Sequence, residues 1–193
     1  MSDIVRWLTI GDLRSDGAAD QVVEVVRRNP RLLPDVVVAL KSPRAATRGH
    51  AADALEKIGR EHPQDLARFL AVFLGALRAD EVAMVRWHMA MLLGHLSTLP
   101  TLTPRLIPPL MRATCDPSAF CQSWAVTSLC LFGRQNSAWT RRIADAISPL
   151  VRSSSPALRL RARRAMTLLT NPTAPFPRGW VKAGALKHLE EPA

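Results

Sequence analysis

The sequence predicts an all-α, right-handed superhelix of stacked helix pairs, about four to five of them, in one elongated domain. Three observations point there. A pattern of Arg (or Gln), two residues, a pair of small or apolar residues and then Leu recurs with anchors at 48, 86, 122 and 161, at intervals of 38, 36 and 39 residues. That interval is the length of one two-helix repeat. Stretches with apolar residues at i, i+3 and i+4 fill the space between anchors. Val, Leu and Ala dominate an apolar fraction of 48%, Tyr is absent, and the enrichment that strands need is weak.

In chain order, 18–28 reads as an entry helix (Val22, Val23, Val25, Val26) and 32–40 as the first helix of repeat one. Its second helix, near 44–60, carries Arg48-Gly49-His50-Ala51-Ala52-Asp53-Ala54-Leu55. The next pair is 65–77, with Leu66, Phe69, Leu70, Phe73, Leu74 and Leu77 on one face, and 82–97, which holds Arg86-Trp87-His88. Segments 104–113 and 118–133 form the third pair, and 138–151 and 156–170 the fourth. After residue 170 come Pro172, Pro175 and Pro177 and a short segment at 180–189. Residues 1–170 are therefore read as one solenoid and 171–193 as a Pro-rich tail or cap.

Turns precede the anchors. Six residues before each stand Ser42, Asp80, Asp116 and Ser155, which suit turns and helix N-caps. Pro43, Pro117 and Pro156 follow three of them, at the helix start where a missing N–H is no loss. Together these residues resemble the HEAT-repeat consensus of armadillo-like α-solenoids, in which a D-P turn precedes a V-R pair and an alanine-rich second helix. The resemblance covers about residues 20–170. It implies that Arg48 and Arg86 are structural, paired with Asp80 and Asp116. Gln122 departs from the pattern, so the ladder is expected to break in the third repeat.

The formal net charge of +10 is unevenly placed. Residues 1–133 hold 15 basic and 13 acidic side chains, whereas 134–193 hold 11 and 3. Such asymmetry either marks an anionic partner or solvates the last helices. Arg159, Arg161, Arg163 and Arg164, with Arg141 and Arg142, are the candidate contacts to a phosphate or acidic surface. Cys115, Cys121 and Cys130 are odd in number and form no C-x-x-C pair, which fits reduced cysteines of a cytoplasmic protein. The longest apolar stretch, 66–77, is broken by Arg68 and far short of the roughly 20 residues of a membrane span.

The helix at 82–96 is apolar on both sides. Val82, Val85, Met89, Leu92, Leu93 and Leu96 form its core arc, while Met84, Trp87, His88, Met91 and His95 lie opposite. In a solenoid the second helices line the concave surface, so Met84, Trp87, His88 and Met91, with Trp124 and His50, are candidate partner-binding residues. Equally, Trp87 and Met91 could pack against a neighbouring repeat. With the anchors above, His50, His88, Trp124 and Arg163 fall on one repeat position and form a candidate recognition stripe.

Phosphate-loop, nucleophile-elbow, zincin and dinucleotide motifs are all missing, and the five histidines show no ligand spacing with Cys or Asp. The expectation is no catalytic residues, no metal and no cofactor. The chain also resembles the HEAT-like alkylpurine DNA glycosylases in class, as a small basic solenoid with tryptophans on its second helices. Those enzymes need an Asp beside the aromatics, and no carboxylate lies near Trp87 or Trp124 on their own helices. The Arg86-Trp87-His88 run further resembles small bacterial HEAT-repeat proteins without an assigned role. The expected function is a non-catalytic scaffold that binds a protein or peptide through its concave face, as a monomer or weak dimer. Nucleic-acid binding through the basic C-terminal end is the alternative.

Overall fold

The computed structural model describes residues 3–15 and 17–190. Its helices are α1 (Asp3–Leu8), α2 (Ala19–Arg28), α3 (Leu33–Ala39), α4 (Ala45–Gly59), α5 (Pro63–Leu66), α6 (Leu70–Ala79), α7 (Ala83–His95), α8 (Thr103–Ala113), α9 (Ala119–Gln135), α10 (Thr140–Ile147) and α11 (Pro156–Thr170). The second helices α4, α7, α9 and α11 stack side by side as an inner row. Each packs on its own first helix (α3, α6, α8 or α10), and these form the outer row. One apolar core runs through all repeats into the C-terminal segment. No described helix is long and apolar enough to cross a membrane.

Helices α4 and α7, in the middle of the stack, are mostly buried, which explains their alanines. Where they cross, only small residues fit. A Cβ on Gly59 of α4 would lie 2.4 Å from Leu92 Cδ1 of α7, and one on Gly94 of α7 would lie 2.3 Å from Ser128 Oγ of α9. That Ser128 hydroxyl donates to the Ala90 carbonyl at 2.7 Å and ties α9 to α7 a second time.

The chain leaves the entry helix α2 and each inner helix in the same way. Asn29, His62, Leu99, Asn136 and Asn171 leave the helical region (φ −139, −126, −112, −144 and −120°). Pro follows all but Asn136. Proline disfavours helical geometry in the residue before it, so X-Pro ends one helix and starts the next. The first helices then open with a 3-10 turn, at Pro30–Leu32, Ala67–Phe69, Pro100–Leu102 and Ser137–Trp139. The apolar stretch 65–77 is accordingly split, and α6 runs on to Ala79. The stretch 138–151 retains only α10 as α-helix, with a 3-10 turn at Ser148–Arg152 that contains Pro149. Helix α1, too short for periodicity to reveal, buries Ile4 and Leu8 against α2, α3 and α4.

An arginine ladder fastens repeat to repeat. Arg48 Nε donates to Asp80 Oδ2 at 2.9 Å, and Arg86 Nε donates to Asp116 Oδ2 at 2.7 Å. Each arginine thus holds the turn acid of the following repeat. Each also donates through Nη1 to the carbonyl six residues back, Ser42 at 2.9 Å and Asp80 at 2.8 Å. Burial acts to raise the Asp116 carboxyl, but hydrogen bonds from Arg86 and the Ser118 N–H outweigh it and hold it below the ordinary range.

The ladder geometry corrects the register of the fourth repeat. Arg159, not Arg161, donates to the carbonyl six residues back, Ser153, at 2.6 Å. Ser153 Oγ accepts from Ser155 N as Asp116 accepts from Ser118 N. Ser155 then caps α11 at Leu158 N as Ser118 caps α9 at Cys121 N. The anchors are therefore Arg48, Arg86, Gln122 and Arg159, and the residues two beyond them are His50, His88, Trp124 and Arg161. Arg163 falls outside that row.

Candidate functional site

The C-terminal segment determines which part of the inner surface stays open. Arg134 at the end of α9 donates to the Ala174 carbonyl at 2.6 Å and lies over the Phe176 ring. The Arg161 guanidinium sits between Trp124 and Trp180, 5.1 Å and 4.8 Å from their centroids. Gly184 N then bonds to the Arg60 carbonyl just past α4. The segment therefore returns from the fourth repeat to the first, past α7. Phe176 N to the Leu189 carbonyl and Val181 N to Glu190 Oε1 close it into a loop. Phe176, Trp180, Val181, Ala183 and Leu186 are buried in it.

Beyond this cap, an apolar band crosses the N-terminal ends of the inner helices. At the first two junctions the residue after the anchor meets the residue two before the next anchor. Trp87 of α7 stacks on Phe120 of α9, with centroids 5.2 Å apart at 40°. Met84 of α7 and Leu13 of the N-terminal loop both lie over Gly49 of α4. Leu160 holds the equivalent place on α11. Leu13 is 43% exposed, Phe120 65% and Leu160 52%. Met84 and Trp87 are half-buried between them. Large apolar side chains left exposed at equivalent repeat positions are unusual on a closed surface.

The structure sorts the candidate residues. Met84 and Trp87 lie in the open band. Trp124 is half-buried and covered on one face by Arg161. Met91, His88 and His50 are buried, which removes them from direct recognition. His50 faces the carbonyls of Leu8, Asp12 and Ser15, each at 3.0 Å, and so fastens the N-terminal loop. His88 Nδ1–H donates to the Met84 carbonyl at 2.8 Å, and its Nε2 accepts from Trp87 Nε1–H at 3.3 Å. Burial lowers the His88 pKa against the opposing pull of Asp53, so the neutral ring that this bonding needs is the favoured one. The expected stripe of His50, His88, Trp124 and Arg163 is thus not a continuous exposed row: two members are buried and the last is out of register. Leu13, Phe120 and Leu160 were missed because their meaning lies in contacts between repeats.

The basic candidates also divide. Arg161 lies against two indoles and donates to Thr127 Oγ1 at 2.7 Å, and Arg159 donates to the Ser153 carbonyl. Both are half-buried and neither has a carboxylate partner among the described residues. Arg141, Arg142, Arg163 and Arg164 are exposed, with Arg142 over the Trp139 ring. Arg163 and Arg164 lie on the outer face of the last helix, where a solenoid needs polar residues to end its stack.

The carboxylates of the inner row are engaged internally. Buried Glu56 accepts from His95 Nε2 at 2.7 Å and from Arg60 Nη2 at 2.6 Å. Burial would raise its carboxyl, and those two partners instead hold it at about 2. Asp53 of α4 comes within 3.5 Å of His88, an approach no inspection of one helix could reveal. It is 4% exposed and held by Lys57 at 2.9 Å, so it offers no free carboxylate beside Trp87. Among the described residues no group of three or more His, Cys, Asp or Glu could hold a metal ion.

No protein-family model and no curated protein matches the sequence. Solved structures do match by shape. One is an engineered protein, with TM-score 0.62 and 17% identity over 86% of this chain and 79% of that one. Another is a computationally designed armadillo repeat protein for modular peptide recognition (TM-score 0.62, 12% identity, 86% and 80% covered). A third is a designed armadillo repeat protein in complex with the peptide (KR)4 (TM-score 0.61, 14% identity, 86% and 72% covered). The chain is thus an armadillo-like α-solenoid, a right-handed superhelix of helix pairs. At these identities the likeness is one of fold.

Proposed function

We propose that the protein is a binding scaffold that takes an extended apolar segment of a protein partner along the band of Leu13, Met84, Trp87, Phe120 and Leu160. The observation that carries this reading is the Trp87–Phe120 pair. It is a large aromatic surface, supported from below by α7 and α9 and open above. Such aromatic anchors, half-seated in a packed surface, dominate binding energy at interfaces. The designed neighbour that holds (KR)4 shows that this fold can carry a peptide. This chain suits a different one. Asp53 and Glu56 are tied up by Lys57, Arg60 and His95, which leaves the band apolar rather than acidic.

The test is selection from a random peptide library, followed by affinity measurement with wild type, Phe120→Ala and Trp87→Ala. Phe120 is 65% exposed, so its truncation should barely affect stability. Selected peptides should be rich in apolar residues and should bind Phe120→Ala at least about tenfold more weakly, a loss of about 1.4 kcal/mol. Selected peptides that bind both variants as tightly as wild type would remove the band from consideration.

A further inference from the structure

The outer row carries a second surface, separate from the concave band. Helix α6 presents Ala71, Gly75 and Ala79 at successive four-residue steps, a ridge no higher than a methyl group. A Cβ on Gly75 would meet no atom within 4 Å. A trough lies on each side of this ridge. The one toward α8 has a volume of about 540 Å³ and an apolar floor that includes Leu74, Leu77, Pro109 and Ala113. The one toward α3 has a volume of about 490 Å³ and is floored by Leu40, Val72 and Ala76. Both share Ala71 and Gly75.

The charge around these troughs has one sign. Arg78, Arg105 and Arg112 border the first and Lys41 the second. All four are exposed. The acids at the borders, Asp116 and Asp80, are already held by Arg86 at 2.7 Å and Arg48 at 2.9 Å. The ladder that joins the repeats therefore consumes the negative charge and leaves the cations unanswered.

We propose that the outer face of α6 is a docking site for an acidic amphipathic helix of another protein. A low ridge between two troughs is the complement of a helix surface, whose own rows of side chains settle into grooves on either side. Small residues along the ridge let the backbones approach closely. Leucine-type side chains would fill the apolar floors, and flanking Glu or Asp would meet Arg105 and Arg112 on one side and Lys41 on the other. A second copy of this chain is a poor occupant, because its net charge of +10 repels.

Cys115 lines the first trough and is exposed, whereas Cys121 and Cys130 are buried, so a thiol-reactive fluorophore reports from this site. The probe is a synthetic helix-forming peptide with leucines at i, i+3, i+4 and i+7 and flanking glutamates. Its counterpart has lysines in their place. Anisotropy of a labelled peptide on unmodified protein gives a second readout. The glutamate peptide should bind saturably and the lysine peptide should not. Gly75→Phe, which fills the space over the ridge, and the pair Arg105→Glu and Arg112→Glu should each weaken binding at least about tenfold. The charge pair lies on the surface and keeps the test open if Gly75→Phe misfolds. Phe120→Ala should leave this binding unchanged, which separates it from the concave band. The proposal is overturned if the glutamate peptide fails to bind, if the lysine peptide binds equally well, or if the charge pair has no effect.

Discussion

Arg161 is sandwiched between Trp124 of its neighbouring repeat and Trp180 of the C-terminal segment, within 5.1 Å of both ring centroids. No carboxylate pairs with it among the described residues. A guanidinium close to two indole rings gains from both and keeps its charge, an arrangement open to Arg and poorly served by Lys. This contact, the Arg134 bond to Ala174 and the Gly184 bond to Arg60 join the last repeats to the first.

Repeats in an open solenoid touch only their neighbours and can unfold piecemeal. The C-terminal segment adds a contact between distant repeats, so its loss should reduce cooperativity. Trp180 is 7% exposed, and Trp180→Ala should cost about 3 kcal/mol in urea unfolding. Truncation after Asn171 should lower the m-value or split the transition. An unchanged single transition would mean that the segment only decorates the surface.

The ladder should behave as coupled pairs. The Arg86 and Asp116 side chains are 11% and 8% exposed, and their forked contact has a second bond, Nη2 to Oδ1, at 3.0 Å. Either Arg86→Ala or Asp116→Ala should cost about 2–3 kcal/mol, with strong non-additivity in the double mutant. Gln122→Ala, at the anchor without an arginine, should cost well under 1 kcal/mol.

Acid should destabilise the domain in two windows. Burial lowers the His88 pKa, so the unfolded chain takes up that proton first and stability falls as pH drops through 6.5. The Glu56 carboxyl is depressed from 4.5 to about 2, so its contribution is full above 4.5 and is lost as pH falls through that interval. His88→Asn should flatten the first decline and Glu56→Gln the second, measured as urea midpoints across pH. A decline unaltered by either substitution would place the titrating groups elsewhere.

Four exposed arginines, Arg141, Arg142, Arg163 and Arg164, should support only weak, salt-sensitive contact with DNA. In a fluorescence-anisotropy series the slope of log K against log salt should be no steeper than about −4. Arg163→Glu with Arg164→Glu should reduce it by about 2. A much steeper slope would show that further cations of this end, such as Arg152, Arg159 or Arg178, also meet phosphate.

The repeat was legible in the sequence because two-helix units impose a period, a turn and an alanine-rich inner helix. Arg48 and Arg86 were legible as structural because their partner acids stand in the same turn position. Other features were hidden, each for a stated reason. The fourth repeat has arginines at 159, 161, 163 and 164, which blur its register, and the bond from Arg159 to Ser153 fixes it. His88 and Met91 look exposed on a helical wheel, which omits whatever covers the helix from elsewhere in the chain.

The sequence by itself determined the solenoid, its helix pairs and the basic bias of its C-terminal end, because these follow from local periodicity and composition. Only the tertiary structure decided which inner-row side chains remain open. Burial depends on residues distant in the chain: Trp180 closes over Arg161, the carbonyls of the N-terminal loop close over His50, and Phe120 meets Trp87 at a junction between repeats.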